Sequence, residues 1–93
     1  MNTLLATSPL SEYGHLAEAR FGERALFEFP NGFGASLIRS EFSYGGRNGE
    51  FEIAVLKNGH ITYETPITND VLGYLSMAEA HATLEQIYNL EAL

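Results

Sequence analysis

Between Ala25 and Thr65 apolar and polar residues alternate; on either side the apolar residues recur every third or fourth position. Alternation predicts strands, and the longer period predicts helices. Residues 1–10 read as a lead-in. Ser8 and Ser11 are candidate N-caps around Pro9, and Tyr13, Leu16, Ala17 and Arg20 or Phe21 follow at helical spacing until Gly22. This spacing predicts an N-terminal helix, with Gly14 costing it about 1 kcal/mol relative to alanine.

Four alternating runs come next: Ala25–Phe29, Gly34–Phe42, Glu50–Lys57 and His60–Thr65. The second has apolar residues on both faces, Ala35 and Leu37 against Ile38 and Phe42, which suggests a bulge or cover on two sides. An Asn-Gly pair lies between each two runs, at Asn31-Gly32, Asn48-Gly49 and Asn58-Gly59. Two-residue hairpin turns place both central residues at positive φ, which asparagine tolerates and glycine adopts freely. Asn58-Gly59 is the tightest of the three. Pro30 and Gly34 lengthen the first, and the glycines of "SYGGRNG" widen the second.

Alternation ends at Pro66, which cannot donate to a ladder. Thr68-Asn69-Asp70 is placed to cap a short helical turn running to Tyr74. Ser76 with Glu79 is a capping box, and Met77, Ala80, Leu84, Ile87 and Tyr88 form an apolar stripe behind it. The predicted fold is α+β in a single domain, residues 1–93. It has an N-terminal helix, a four-stranded antiparallel β-meander joined by Asn-Gly turns, and a C-terminal helix packed on one sheet face.

Charge adds a direction. Twelve Asp and Glu oppose five Lys and Arg, a net charge of −7, and all five basic residues precede Asn58. The rest of the chain carries only Glu64, Asp70, Glu79, Glu85 and Glu91. Phosphate contacts need Lys and Arg, so nucleic acid and anionic membranes are disfavoured as direct partners, and a basic protein surface is favoured. The absence of cysteine removes disulfides, thiolate nucleophiles and Cys-based metal sites. No apolar run approaches the roughly 20 residues that span a bilayer. The first ten residues lack a basic n-region, so a soluble, cytoplasmic protein is expected.

Chemistry-bearing constellations are sparse. His15, His60 and His81 fall on different elements without metal-ligand spacing, so neither a metal nor a cofactor is expected. His81 and Glu85 stand four residues apart and can pair on a helix. An enzyme built on His81 or His60 is the weakest of three readings, because acid–base catalysis also needs a pocket. No serine lies in a nucleophile elbow, "GFGAS" lacks the spacing of a phosphate cradle, and Glu50 and Glu52 suit a solvated strand face. Tyr44, in the glycine-rich "SYGG", is a candidate exposed anchor, with Tyr13 and Tyr74 behind it. Glu64, Asp70, Glu79 and Glu85 are the candidate contact carboxylates.

The stretches "NGFGASLIR", "SYGG", "GEFEIAVL" and "ITYETPITNDVLGYL" resemble small orphan proteins of bacteriophages and other mobile elements. Size, acidity and absence of cysteine resemble those of anti-CRISPR proteins. That resemblance implies a stoichiometric, non-enzymatic inhibitor in the cytoplasm of a bacterial host, one that occupies a basic surface of a nucleic-acid-handling complex, with DNA mimicry as one route. It contributes no site residue. The alternative reading is a homodimer or phage assembly component, pairing through a sheet edge or through the mixed-face residues Ile38, Phe42, Ala54 and Leu56.

Overall fold

The computed structural model describes residues 10–68 and 70–92. A short 3-10 turn, Ser11–Tyr13, leads into β1 (Gly14–Ala17), β2 (Gly22–Glu28) and β3 (Phe33–Ser40). A second 3-10 turn, Gly46–Asn48, precedes β4 (Phe51–Lys57), followed by β5 (His60–Ile61), β6 (Leu72–Leu75) and α1 (Met77–Tyr88). The six strands form one antiparallel sheet in the order β1-β2-β3-β4-β5, with β6 also paired to β4.

Three expectations are corrected. There is no N-terminal helix among the described residues: Gly14–Ala17 is extended and pairs with Phe27 through Arg24 of β2. The proposed Ser8 cap lies outside the described residues. The helical stripe also fails as a unit, since Tyr13 packs against the core while Leu16 is 52% exposed. Strand pairing with β2 gives this segment a full ladder of hydrogen bonds, which a helix interrupted by Gly14 had to supply locally.

The four-stranded meander is also wrong. The run from His60 to Thr65 keeps only two residues of strand, extended by one bond from Thr62 N to the Val55 carbonyl. Beyond that point the chain leaves the edge of β4, whose free backbone groups then take β6 as partner. For the same reason Leu72–Leu75 is a strand and not the end of a helical turn. Thr68 does accept a hydrogen bond from Asp70 N (3.0 Å), while Asn69 lies outside the described residues.

The register explains the core. Ala25 stands opposite Leu37, Phe27 opposite Ala35, Leu37 opposite Ile53, and Ala35 opposite Val55. These side chains share one face, with Phe51, and α1 lays Ala80, Leu84 and Ile87 onto it. Each large, fully buried side chain contributes about 1.5–3 kcal/mol through removal from water. The other face carries the rows Arg24–Ile38–Glu52, Leu26–Ser36–Ala54 and Gly34–Leu56–Ile61. β3 crosses between β2 and β4 without a register shift, so its two apolar faces reflect the layering and not a bulge. α1, the single helix among the described residues, covers only the first face.

Both ends of α1 are tied down. Ser76 Oγ accepts from Glu79 N (3.1 Å) and the Glu79 carboxylate accepts from Ser76 N (2.9 Å), completing the capping box. At the other end the Asn31 amide donates to the carbonyls of Ile87 (2.9 Å), Tyr88 (3.1 Å) and Leu90 (3.0 Å). Its Oδ1 accepts from Phe33 N at 2.9 Å. Asn31 therefore caps the helix from inside the β2–β3 loop, satisfying carbonyls that a helix terminus leaves open. Positive φ in this loop falls on Gly32 alone, whereas Asn58 and Gly59 both adopt it, as a two-residue hairpin turn requires.

Candidate functional site

One end of the sheet gathers aromatic side chains in solvent. Phe21 (60% exposed) lies in the β1–β2 turn, Phe42 (68%) and Tyr44 (57%) follow β3, and Tyr74 (61%) stands in β6. They form two ring pairs. Phe21 and Phe42 meet edge-on at 5.7 Å, with the Arg20 guanidinium 5.3 Å from the Phe21 centroid. Tyr44 and Tyr74 are 6.2 Å apart and tilted by 32°.

Local backbone geometry holds the tyrosines outward. Between Phe51 and Ile53, β4 spans two residues, while its partner β6 spans three from Leu75 to Leu72. The extra residue is a bulge, a device that bends a strand and re-aims its side chains. Within it Tyr74 has φ of 58°, and its amide donates to the Tyr44 carbonyl at 3.2 Å. A left-handed backbone costs a non-glycine residue about 1–2 kcal/mol. Phe21, at φ 57°, carries the same cost. Two glycines make the close approach possible. A Cβ on Gly73 would lie 2.5 Å from the Tyr44 Cβ, and one on Gly45 would lie 2.9 Å from the Tyr74 Cα. The Glu52 carboxylate accepts from Tyr44 N at 3.0 Å, pinning the loop from the sheet face opposite α1. A cleft of about 240 Å³ opens beside the pair, lined by Glu41, Ser43, Arg47 and Asn48 as well as the tyrosines. Arg47 and Glu41 bridge at 3.2 Å and are both exposed.

The carboxylates singled out from the sequence do not share one surface motif. Glu64 and Asp70 are exposed on the connection between β5 and β6. Glu79 is engaged at the helix start, where hydrogen bonds from the Ser76 backbone amide and then its hydroxyl hold the carboxyl below its usual range. Glu85 is exposed on α1, and six residues at 100° each put it about 120° around the axis from Glu79. No ion pair joins His81 to Glu85 among the described residues; His81 Nε2 is buried without a hydrogen-bond partner. No group of three metal-ligating side chains occurs among the described residues.

Tyr44 is thus the sequence candidate that the structure joins to a wider surface, and Tyr74 is its partner. Tyr13 lies elsewhere, packed edge-on to Phe29 at 5.8 Å and 5.4 Å from Tyr88. Sequence reading assigned Phe21 to a helix stripe and so missed it, and it offered Phe42 only as a mixed-face residue for self-pairing, not as part of an aromatic end. The glycines next to Tyr44 and Tyr74 were the one available signal. No described helix is long and apolar enough to cross a membrane. No protein-family model, curated protein or solved structure matches the chain.

Proposed function

We propose that the protein is a non-enzymatic binding protein of the phage-inhibitor kind, which seats its aromatic end on a basic surface of a nucleic-acid-handling complex. The observation that carries this reading is the Tyr44–Tyr74 pair. Two large rings are kept in solvent by a bulge, a left-handed tyrosine and two glycine contacts, at a cost in folding free energy. Backbone held in a sparsely populated conformation is concentrated at functional sites. Tyrosine suits a protein interface, because it buries a large ring with little loss of side-chain freedom and keeps a polar tip.

Electrostatics supports the choice of partner. Only Glu23 and Glu41, of twelve acidic residues, are in ion pairs among the described residues. A field of this sign speeds encounter with Lys/Arg-lined surfaces and weakens with salt. Glu64, Asp70 and Glu85, all exposed, contribute to that field at long range more than by a shared contact.

The test is binding of the purified protein to purified CRISPR effector complexes by biolayer interferometry, with and without competing DNA. Association that slows with salt, is displaced by DNA and weakens at least tenfold in a Tyr44→Ala/Tyr74→Ala variant is expected. Binding indifferent to both DNA and the tyrosines would overturn the reading.

A further inference from the structure

At the end of the sheet away from Tyr44 and Tyr74 lies a hollow of about 410 Å³. Its origin is steric. Gly34 sits between Glu28 of β2 and Leu56 of β4 in one cross-strand row, and a Cβ there would lie 2.1 Å from the Phe27 carbonyl oxygen. Close approach of β2 and β3 therefore excludes any side chain at this position. A gap is left in the row, walled by Phe33, Leu56 and the Asn58-Gly59 turn and open to solvent on one side.

The chemistry of the lining is simple. Glu28 is its only charged residue, it is exposed, and no hydrogen bond or ion pair engages its carboxylate among the described residues. An anion finds no positive group here. A metal ion finds a single carboxylate, fewer than the three or more protein ligands it usually takes. An aliphatic chain ending in a cation fits both features, carbons against Leu56 and the Asn58-Gly59 turn and charge against Glu28. Because the hollow is open, it cannot enclose most of a free small molecule, as a ligand pocket does. The chain is more simply delivered by a larger partner.

We infer that this hollow receives an arginine or lysine side chain of the partner protein, with Glu28 as the charge-recognising residue. The inference rests on the basic partner proposed above and adds a second contact, at the other end of the sheet. Its test needs no knowledge of that partner. The 15N-labelled protein is titrated with the capped tripeptide Gly-Arg-Gly and followed by the amide resonances of Gly34, Asn58 and Gly59. Saturable shifts at these amides are expected, with the citrulline tripeptide, nearly isosteric but uncharged, producing none. Glu28→Gln should weaken the arginine peptide about two- to fivefold, the range of a solvent-exposed ion pair. Glu28 is exposed at the end of its strand, so the variant should keep the wild-type spectrum elsewhere. Absence of saturable shifts at these residues, equal response to citrulline, or unchanged affinity in Glu28→Gln would each overturn the proposal. The outcome is separable from the tyrosine reading, because the resonances followed are at the opposite end of the sheet from Tyr44 and Tyr74.

Discussion

The two ends of the sheet use aromatic residues in opposite ways. At the helix C-terminus, Phe29 is 5% exposed, meets Tyr13 and Tyr88 edge-on, and sits beside the Asn31 latch. At the other end, Phe21, Phe42, Tyr44 and Tyr74 contact one another but remain more than half exposed, and two of them hold left-handed backbone. Rings at the first end are removed from water and add to stability. Those at the second bury little area, and their backbone opposes folding. The first end should respond to substitution in stability, the second in binding.

The largest effect is expected for Phe29→Ala. Truncating a buried phenylalanine removes its transfer free energy and leaves a cavity, so urea denaturation should show a loss of about 3–5 kcal/mol. Asn31→Ala comes next. It strips the donor from three carbonyls at the end of α1, and a loss of about 1–3 kcal/mol is expected by the same measurement. A loss of about 0.5 kcal/mol or less, the size surface substitutions give, would show that water replaces the latch.

At the opposite end the expected stability changes are small. Tyr44→Ala should shift stability by about 0.5 kcal/mol or less, as surface substitutions usually do. Tyr74→Gly relieves a left-handed residue, offset by the greater freedom of glycine in the unfolded chain, so stability should stay level or rise by up to about 1 kcal/mol. Both should nonetheless lower partner affinity. A tyrosine variant that unfolds the domain would erase the contrast between the ends.

The smallest effect concerns pH. The folded-state pKa of Glu79 is lowered, so its contribution is complete above the unfolded glutamate value and is lost as pH falls through the folded one. Thermal midpoints measured through the acid range should show this loss in the wild type and a flatter profile in Glu79→Gln, whose amide can still complete the capping box. Tyr13 behaves oppositely at high pH. Its hydroxyl is raised above its ordinary value, chiefly by the hydrogen bond it shares with Tyr88. The stability it adds is present below the unfolded tyrosine pKa and is lost as pH rises through the folded one.

Local patterns in the sequence determined a good part of this molecule. The capping box at Ser76 and Glu79, the apolar stripe of α1, the alternation in β4 and the turn at Asn58-Gly59 each depend on neighbours within a few residues, where side-chain period and φ preference decide the outcome. The rest was decided by pairing over distance. Gly14–Ala17 became a strand because β2 offered it a ladder, and Leu72–Leu75 because β4 had an open edge after β5 left it. Asn31 reads as a turn residue, but its amide serves a helix 56 residues further along the chain. Tyr44 was recognisable from its flanking glycines. Its pairing with Tyr74, and the meeting of Phe21 with Phe42, arise only once the sheet brings a hairpin turn, a loop and a bulged strand to one end. Periodicity records which side chains share a face of one element; which elements become neighbours is set by unpaired backbone groups and buried area, which no short window of sequence contains.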